Sequence, residues 1–481
     1  MSKIEIIKSG SFDNSNHWYP KALNATIHPL IDFFINLSQT RVVERYCHLN
    51  PIVKKDDLAS ILSYKPKYFR WAGADLINVT TEKGKRHMVV IETNSCPSGQ
   101  KSMPLRNDHD EFGGYRLLIE ETFIPSLKRL KKLKDGVLAV LYDKNYMEAS
   151  GYAATMAEVM DEDIYLVYFP KEGYDESVRF SDGVLEIMLQ GTWTQVRAAF
   201  RYVTQKPWNR IPIHTKTKIL NPVLACLSGG RNKMLAAKAY DLYNSDLQGT
   251  GLEIITPETI RDVSKFEVPL WVKRMGGQAV IKIPYSNAGQ GVFTIVGQKE
   301  LDEFMKMDFE YDQFIVQSLI GNYSWSSNTS RGKLFHVGTV PSKRGYTYVN
   351  DLRMMVHSTS DGIKPLSIYS RRAKDPLADE IKESTDSWNM LGTNLSIKLN
   401  DSSWDSDTKR LLLMDRRDFN KLGLGIDDLV EAYIQTVLSM IAIDKMCETL
   451  VNSKGRFRKR LFSSLNQDDS LIDEILIDSI Q

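Results

Sequence analysis

The strongest constraint on the fold is a strand–helix–strand pattern between residues 137 and 170. The apolar runs VLAVLYD (137–143) and IYLVYFP (164–170) are typical of buried strands, and MEASGYAATMAEVMD (147–161) between them is predicted to be a helix. A helix that joins two buried strands makes a βαβ unit. We therefore predict a small open α/β domain over about 135–220.

The chain is too long for that domain alone. At roughly 150 residues per domain, 481 residues predict about three folding units. The 62 Lys and Arg residues nearly balance the 60 Asp and Glu residues, so the chain lacks the overall positive charge of a nucleic-acid binder. Two local basic runs, LKRLKKLK (127–134) and RFRKR (456–460), are predicted to be solvated helix faces. Nucleic acid is thus a disfavoured partner, and an RNA or membrane role for these runs is a minor option.

No targeting or membrane segment is predicted. The first residues hold no long apolar stretch, and no 18 uncharged apolar residues run together anywhere. Cys47, Cys96, Cys226 and Cys447 stand far apart, without the CxxC spacing of a metal or redox site. We predict four free thiols, a reducing compartment and a cytoplasmic protein.

Other segments alternate between helical and strand patterns. Residues 21–64 have helical periodicity, and GADLINV (73–79) and HMVVIETN (87–94) are predicted to form a hairpin. The later elements are predicted in this order: helix 232–244, strand 251–256, a helix start at 256–263, strands 279–284, 291–296, 314–320, 351–358 and 365–372, and a closing helix 427–451. We interpret the elements from 232 to 296 as a small α+β lid.

The first chemical signal is a loop between two strands. Lys282 ends one strand, and Ser286, Gly289, Gln290 and Gly291 belong to the loop that leads into the next. Backbone N–H groups of such a loop can cover a triphosphate while the strand lysine reaches its oxygens. The loop lacks the GK[ST] ending of a Walker A motif, and a hairpin with a surface glycine turn is the alternative.

The second signal is a set of oxygen ligands on the early hairpin. Glu92 and Asn94 project from one face because side chains alternate along a strand, and pairing across the turn can bring Asp75 beside them. Two carboxylates and an amide oxygen suit Mg²⁺ that also bridges phosphates. A half-exposed polar sheet face is the alternative.

The third signal is a group of arginines. Arg353 shares a strand face with Asp351, Arg371 and Arg372 end another strand, and Asn394 follows in a later loop or strand. Guanidinium groups beside a phosphate site can stabilise a transferring phosphoryl group or an acyl phosphate. Taken separately, each of them is more often a surface arginine at a strand end.

These motifs together resemble the ATP-grasp superfamily. The resemblance rests on Lys233 in NKMLAAK, PET after GLEIIT, Lys282 with SNAGQG, and the segments FIVQSL, DLR, SRRAK, TNL and ETN. In that family the Asp strand and the E-x-N strand usually come last, whereas here they come first, at 75–94, and the chain ends with the helix 426–451. This order is similar to that of the circularly permuted members, the eukaryotic-type glutathione synthetases and the glutathionylspermidine synthetases.

The resemblance implies a circularly permuted ATP-grasp fold of mixed α+β and α/β class, with a small α/β substrate-side domain and an α+β lid. The implied boundaries are 1–134 for the permuted part of the core with the metal-binding strands, 135–225 for the small domain, 226–320 for the lid, and 321–481 for the remaining core with the C-terminal helices. A permutation preserves packing because it moves the termini to an exposed connection. Glutathione-synthetase-like proteins are often dimers, so the resemblance also leaves a homodimer open.

The resemblance also implies site roles by position. The implied ATP contacts are Lys233, Lys282, Ser286, Gly289, Gln290, Gly291, Gln317, Ser318 and Leu319, with backbone groups of 318 and 319 at the adenine. The implied ligands of two Mg²⁺ ions are Asp75, Glu92 and Asn94. The implied catalytic residues are Arg371, which would face the γ-phosphate, and Arg353 and Asn394, which would lie near the reacting carboxylate; Arg201 and Arg372 would bind substrate.

The implied function is ATP-dependent ligation of a carboxylate to an amine through an acyl phosphate. The partners would be small molecules, an amino-acid-like or peptide-like acid and an amine. The family's frequent Gly-Gly after N-L is Ile397-Lys398 here, so the acceptor stays open. A kinase on the same scaffold, to which Lys343, Arg344 and Lys364 would contribute charge, and an ATP-binding protein without turnover are the alternatives.

Overall fold

A computed structural model describes residues 3–107, 109–128, 135–169, 176–203, 208–286, 289, 291–398 and 404–476. The strands are β1 (Ile4–Ile7), β2 (Trp71–Thr81), β3 (Arg86–Asn94), β4 (Val137–Tyr142), β5 (Ile164–Tyr168), β6 (Val178–Ser181), β7 (Val184–Leu189), β8 (Thr192–Tyr202), β9 (Lys218–Leu220), β10 (Thr259–Ser264), β11 (Ala279–Lys282), β12 (Val292–Ile295), β13 (Gln313–Gln317), β14 (Leu334–His336), β15 (Asn350–Thr359), β16 (Gly362–Arg372), β17 (Ser396–Lys398), β18 (Trp404–Ser406) and β19 (Leu411–Leu412).

The helices are α1 (Asn14–His17), α2 (Pro20–Leu23), α3 (Pro29–Ile35), α4 (Gln39–Leu49), α5 (Lys55–Leu62), α6 (Gly113–Leu118), α7 (Ile124–Leu127), α8 (Tyr146–Met160), α9 (Val223–Ala225), α10 (Lys233–Asp246), α11 (Val268–Arg274), α12 (Gln298–Lys306), α13 (Ser387–Leu391), α14 (Ile426–Thr449), α15 (Lys459–Leu465) and α16 (Asp469–Leu476). The predicted mixed α+β and α/β class is confirmed.

An antiparallel core sheet joins the early and late parts of the chain. Strand β2 pairs with β3 through the predicted hairpin, and its other edge pairs with β15 and β14, while β16 and β19 extend the sheet beyond β15. The turn between β2 and β3 contains Gly84 with φ of +75°, a conformation that glycine adopts without steric cost. The hairpin that carries Asp75 and Glu92 therefore lies directly against the strand that carries Arg353.

The long closing helix covers one face of this sheet. Helix α14 packs against β2, β3 and β15, and its apolar residues, among them Ile434, Leu438 and Ile441, belong to the largest hydrophobic core. At its N-terminus the Asp428 carboxylate accepts the backbone N–H of Gly425 at 2.8 Å, which caps an otherwise unpaired donor. The other face of the sheet is free to carry polar side chains.

The predicted βαβ unit is confirmed. Strands β4 and β5 are parallel and are connected by α8, and β4 also pairs in parallel with β8. The full order of this second sheet is β1-β5-β4-β8-β7-β6, with β9 beside β8. Strand β1 comes from the start of the chain, so this sheet reaches outside the predicted range of 135–220.

The lid is a four-stranded antiparallel sheet of order β10-β13-β11-β12. Two sequence predictions are wrong here: residues 251–256 form no strand, and 259–264 form strand β10 instead of a helix start. The Ile255 carbonyl accepts the Val90 N–H of β3 at 2.8 Å, but the Ile255 N–H donates to the Gln435 side chain at 2.8 Å, so a single backbone bond forms there instead of a ladder. Val263 of β10 is buried in the lid core, and packing of this β-branched residue outweighs the helix-start pattern TPET.

The four cysteines all lie within the described residues and are free thiols, as predicted. Among the helices described, none has the length and apolar character needed to cross a membrane.

Candidate active site

A cleft of about 1430 Å³ lies where the core sheet, the lid and the small α/β sheet meet. The predicted site residues that line it are Asp75, Glu92, Asn94, Lys233, Lys282, Ser286, Gly289, Gln317, Ser318, Leu319, Arg353, Arg371 and Asn394. Gln290 lies outside the described residues, and the loop glycine Gly291 is set back from the cleft wall. Residues separated by up to 319 positions in the chain therefore face one cavity.

Strand register explains why the polar residues meet. Asp75 of β2 pairs with Glu92 of β3 on one side and with Arg353 of β15 on the other. Asp351 pairs with Arg371 of β16. Side chains at paired positions of antiparallel strands project from the same face, so a row of charges runs across the sheet.

Four of these residues form a closed arginine–aspartate quartet: Asp75, Asp351, Arg353 and Arg371. Arg353 donates to both oxygens of Asp75, at 2.5 and 2.6 Å. Arg371 donates to Asp75 at 2.8 Å and to both oxygens of Asp351. Burial alone would raise the pKa of Asp75, but the two guanidinium groups outweigh it and lower that pKa below its ordinary value. The quartet is electrically neutral, with two positive and two negative charges.

Three cations lie around Glu92, next to the quartet. The Lys233 ammonium is 3.8 Å from the Glu92 carboxylate and donates to the Ser286 carbonyl at 2.7 Å. Arg231 donates to the Asn94 amide oxygen at 2.9 Å, and its Nε–H is buried and has no acceptor among the residues that the structure describes. Lys282 projects into the same region from the lid. One carboxylate thus faces three cations, and this part of the cleft has an excess of positive charge.

Burial lowers the pKa of Lys282. Its side chain is only 5% exposed, and this burial together with the neighbouring Lys233 lowers the pKa of Lys282 to about 8, although Glu92 acts in the opposite direction. Burial also lowers the pKa of Lys233. Lys233 and Lys282 lie close together, and Glu92 neutralises only part of their charge. Such a pair can bind an anion.

Arg231 was not predicted from the sequence. It comes directly before Asn232, the N-cap of α10, whose side chain accepts the backbone N–H groups of Met234 and Leu235. A basic residue at the start of a helix whose first residue is itself Lys233 is a signal that could have identified it. The cap fixes the direction in which both cations leave the helix.

Gly289 and Gly291, the described glycines of the loop, lie close to neighbouring side chains. Gly289 has φ of +75°, and a Cβ atom there would lie 2.8 Å from the Asn394 amide nitrogen and 3.3 Å from the Trp388 ring. Gly291 has the same φ, and a Cβ atom there would lie 2.8 Å from the Ser286 hydroxyl. Glycine is therefore required at both positions for this loop conformation.

Two backbone N–H groups in the segment predicted to contact adenine form hydrogen bonds within the protein. The N–H of Ser318 donates to the Glu258 carbonyl, and the N–H of Leu319 donates to the Ser327 hydroxyl, both at 2.8 Å. The Gln317 amide donates to Thr259 across the lid at 2.9 Å. These N–H groups therefore bond within the protein, and adenine contacts by other backbone groups at 318 and 319 stay a prediction.

The expectation for Arg201 is wrong. Its side chain is fully buried and donates to the Asn221 carbonyl at 2.8 Å and to the Ser95 hydroxyl at 3.3 Å, so it supports the backbone behind the cleft. Arg372 lies outside the cleft lining, with its guanidinium 4.5 Å from the Tyr348 ring centre. A residue near a strand end can face either side of a sheet, and only packing determines which.

The cations that would favour a kinase also lie outside the cleft lining. Lys343 and Arg344 are exposed, and Lys364 forms an ion pair with Asp361 at 3.3 Å. A basic acceptor pocket built from these three residues is therefore not supported.

Near the small α/β sheet, the cleft is lined by further residues that were not predicted from the sequence. Lys101 is buried, contacts the Asn145 amide oxygen, and lies 4.9 Å from the Tyr19 ring centre. The fully buried Glu148 of α8 accepts the Ser98 hydroxyl at 2.6 Å and thereby fixes the loop that carries Lys101. No sequence motif marks these positions, because the loop and the helix are far apart in the chain.

The donor atoms near Glu92 fit one Mg²⁺ ion better than two. The Glu92 side chain is 32% exposed and lines the cleft, and its carboxylate offers hard oxygen donors of the kind that Mg²⁺ prefers. The Asn94 amide nitrogen donates to Glu92 at 3.4 Å, while the Asn94 amide oxygen accepts one hydrogen bond from Arg231. Asp75 is already bonded to two arginines. Within the described residues, no group of three or more His, Cys, Asp or Glu side chains is arranged to hold a metal ion.

Neither a protein-family model nor a curated protein matches this chain. Solved structures do match. A glutathione synthetase-like effector from Globodera pallida has a TM-score of 0.36 at 9% sequence identity, over 71% of this chain and 81% of the other. D-alanyl-alanine synthetase A from Vibrio cholerae has a TM-score of 0.32 at 12% identity, over 48% and 88%.

A RimK domain ATP-grasp protein from Sphaerobacter thermophilus has a TM-score of 0.27 at 14% identity, over 48% of this chain and 90% of the other. TM-scores and identities this low carry no conclusion about activity or substrate. The chemistry of the cleft has to be derived from its own residues.

Proposed function

We propose that this protein is an ATP-dependent carboxylate–amine ligase with a circularly permuted ATP-grasp fold. The observation that carries the proposal is the group of three cations, Arg231, Lys233 and Lys282, that faces the single carboxylate of Glu92 beneath a glycine loop. Such an excess of buried positive charge is stabilised by a polyanion, and a nucleoside triphosphate has the size and charge to supply it.

The size of the cleft supports two further substrates beside the nucleotide. A small-molecule site usually measures about 300–1,000 Å³, and this cleft exceeds that range at about 1430 Å³. It extends from the lid cations past the quartet to Lys101, which follows β3, and to Asn145, which precedes α8 of the small α/β domain. We assign the lid side to ATP and the small-sheet side to the acid and the amine.

The proposed reaction has two steps. A substrate carboxylate oxygen attacks the γ-phosphorus of ATP, the bond to the β–γ bridging oxygen breaks, and ADP leaves. The amine then attacks the acyl carbon, the phosphate leaves, and the amine gives up a proton, so that an amide, ADP and phosphate are the products. Arg353 and Arg371 lie across the cleft, where they neutralise charge on the carboxylate and on the phosphoryl oxygens.

The other residues bind the phosphates and the metal ion, or cover them. Lys233 and Lys282 hold the phosphates, and Glu92 and Asn94 would hold Mg²⁺, which neutralises phosphate charge when bound. The loop around Gly289 covers the phosphates, and it excludes water that would hydrolyse an acyl phosphate.

Chain order supports the permutation. The hairpin with Asp75 and Glu92 comes first, yet it pairs with β15 from the second half of the chain and packs against α14 near the end. We keep the boundaries 1–134, 135–225, 226–320 and 321–481 as proposed units, and cytoplasm as the proposed location.

Mass spectrometry tests the reaction. The protein is incubated with Mg²⁺, ATP and a pool of amino acids, small peptides and polyamines. A new ion equal to two pool members minus water, together with ADP, is the expected result. A pool member that gains only a phosphoryl group would make the protein a kinase and would contradict the ligase proposal.

A further inference from the structure

Asp75 accepts three hydrogen bonds from two buried guanidinium groups. One of its oxygens accepts Arg353 Nε at 2.5 Å, and the other accepts Arg353 and Arg371 nitrogens at 2.6 and 2.8 Å. Its side chain is only 6% exposed, and each arginine side chain is 10% exposed. Glu92, its partner on the neighbouring strand, has a side chain that is 32% exposed and contacts no arginine in the described residues.

The quartet would not tolerate a metal on Asp75. Its charge is balanced by Asp75 and Asp351 against Arg353 and Arg371. A divalent cation bound to Asp75 would compete with the three N–H donors, and it would lie beside two buried guanidinium groups. Like charges at such distances in a buried site repel strongly.

We infer that Asp75 is a positioning residue for Arg353 and Arg371 and does not bind the metal ion. Asp75 holds Arg353 in a two-pronged contact and accepts from Nη2 of Arg371, while Asp351 accepts from Nε and from the same Nη2 of Arg371. Both guanidinium groups are thereby oriented before any substrate binds. The metal ion takes its protein ligands from Glu92 and Asn94, and its other ligands from the nucleotide and water.

This inference rests on the proposed function and deepens it at the same site. It departs from the role that the ATP-grasp resemblance implies for this aspartate. The reason lies in the register of the sheet, which places Arg353 directly opposite Asp75.

Electron paramagnetic resonance with Mn²⁺ in place of Mg²⁺ tests the inference without a turnover assay. The free Mn²⁺ signal is titrated with wild-type protein and the β,γ-imido analogue of ATP, and then with Glu92→Gln, Asp75→Asn and the surface control Asp361→Asn. We expect Glu92→Gln to weaken Mn²⁺ retention at least about tenfold, and Asp75→Asn to change it less than about threefold. Equal losses in Glu92→Gln and Asp75→Asn would overturn the inference.

A second measurement separates positioning from a purely structural role. Asp75→Asn leaves Arg353 and Arg371 with one carboxylate fewer, so inorganic phosphate should raise the melting temperature of this variant more than that of wild type or Asp361→Asn. An identical phosphate response in all three proteins would overturn the positioning role.

A third measurement uses wild-type protein and does not depend on the folding of a variant. Protein that contains aspartate labelled with ¹³C at the side-chain carboxylate is loaded with Mn²⁺ and the ATP analogue, and electron–nuclear double resonance is recorded. No strong ¹³C coupling is expected, and a strong coupling would overturn the inference. If wild-type protein retains no Mn²⁺ with the analogue, the proposed function itself fails, which differs from a failure at Asp75 alone.

Discussion

Glu92 and Arg231 show how much the site depends on single side chains. The Glu92 carboxylate faces the three cations, and Arg231 holds the amide of Asn94 beside it. The Arg231 Nε–H is buried and meets no acceptor in the described part of the chain, and a buried donor of this kind costs free energy unless a ligand satisfies it. Both residues are therefore suited to direct tests.

Replacing Glu92 by Ala should nearly abolish ATP turnover and leave the fold intact. The carboxylate is the main negative ligand proposed for Mg²⁺, and it is partly exposed, so its removal opens no apolar cavity. Turnover is measured by ADP release and the fold by circular dichroism. The matched control is Glu383→Ala at an exposed site. Wild-type ADP release by Glu92→Ala would refute the metal assignment.

Replacing Arg231 by Met should weaken binding of the ATP analogue about tenfold or more. A hydrogen bond to a charged group contributes roughly 1.5–3 kcal/mol, and 1.4 kcal/mol corresponds to a factor of ten in affinity. Calorimetry measures the affinity, with Arg372→Met as the control because Arg372 lies outside the cleft lining. Equal affinities in both variants would remove Arg231 from the phosphate site.

The affinity for the ATP analogue should fall as pH rises through about 8. Burial lowers the pKa of Lys282 to about 8 in the free protein, so its amine is mostly neutral above that pH, while phosphate binding favours the ammonium. Glu92, Asp75 and Lys233 are the charged groups that act on it. Calorimetry in buffers of different ionisation enthalpy should detect proton uptake near pH 9.

Lys282→Met should bind more weakly at pH 7 and should lose most of this pH dependence. A wild-type affinity that stays constant from pH 7 to pH 9.5 would contradict the assignment of Lys282 to the phosphates.

At the scale of elements, the glycine loop and α13 act together. Thr294 of β12 bonds to Ser387 of α13 at 2.7 Å between hydroxyl oxygens, and Trp388 of the same helix lies beside Gly289. The lid strand, the loop and α13 thus form one contact surface over the cleft. This surface is the part of the site that closure of the lid would use.

Replacing Gly289 by Ala should lower turnover strongly with little change in melting temperature. The new Cβ would lie 2.8 Å from the Asn394 amide nitrogen, so the loop has to move away from the closed position. Gly345→Ala is the matched control because Gly345 has a similar φ of +79° and nothing within 4 Å of a Cβ atom. If both variants lost turnover equally, the positive φ that the two glycines share would explain the loss, and the contact of Gly289 with Asn394 would not.

At the scale of the whole molecule, α14 connects the late part of the chain to the start of the core sheet. The fully buried Asp444 accepts the backbone N–H groups of Lys67, Tyr68 and Phe69 at 2.7–2.9 Å, just before β2 begins. It also accepts the Tyr64 hydroxyl at 2.9 Å. This contact holds the early hairpin in its place.

Replacing Asp444 by Ala should lower the free energy of unfolding by about 3 kcal/mol or more. Several buried donors lose a charged acceptor, and each such bond contributes roughly 1.5–3 kcal/mol. Urea titration measures the change. Asp427→Ala, which removes an exposed ion pair with Arg45 from the same helix, should cost less than about 1 kcal/mol. Similar losses in the two variants would contradict the role of Asp444.

Local sequence patterns are sufficient to predict some of the helices and strands. The β2–β3 hairpin, the β4–α8–β5 unit and α14 follow from alternation, helical periodicity and turn residues, and these depend only on neighbours in the chain. The same patterns identified Glu92 and Lys282 as functional candidates. They failed at 251–264, where the Gln435 side chain and lid packing outweighed the local pattern.

Which charged side chains are available for chemistry depends on contacts between elements that are distant in the chain. Arg201 became a buried support, Asp75 became bonded to two arginines, and Arg231 came to face the cleft. Each outcome depends on strands and helices that are distant in sequence. The type of a residue determines which groups its side chain can bond to. Strand register and packing determine which of those groups lie near enough to bond.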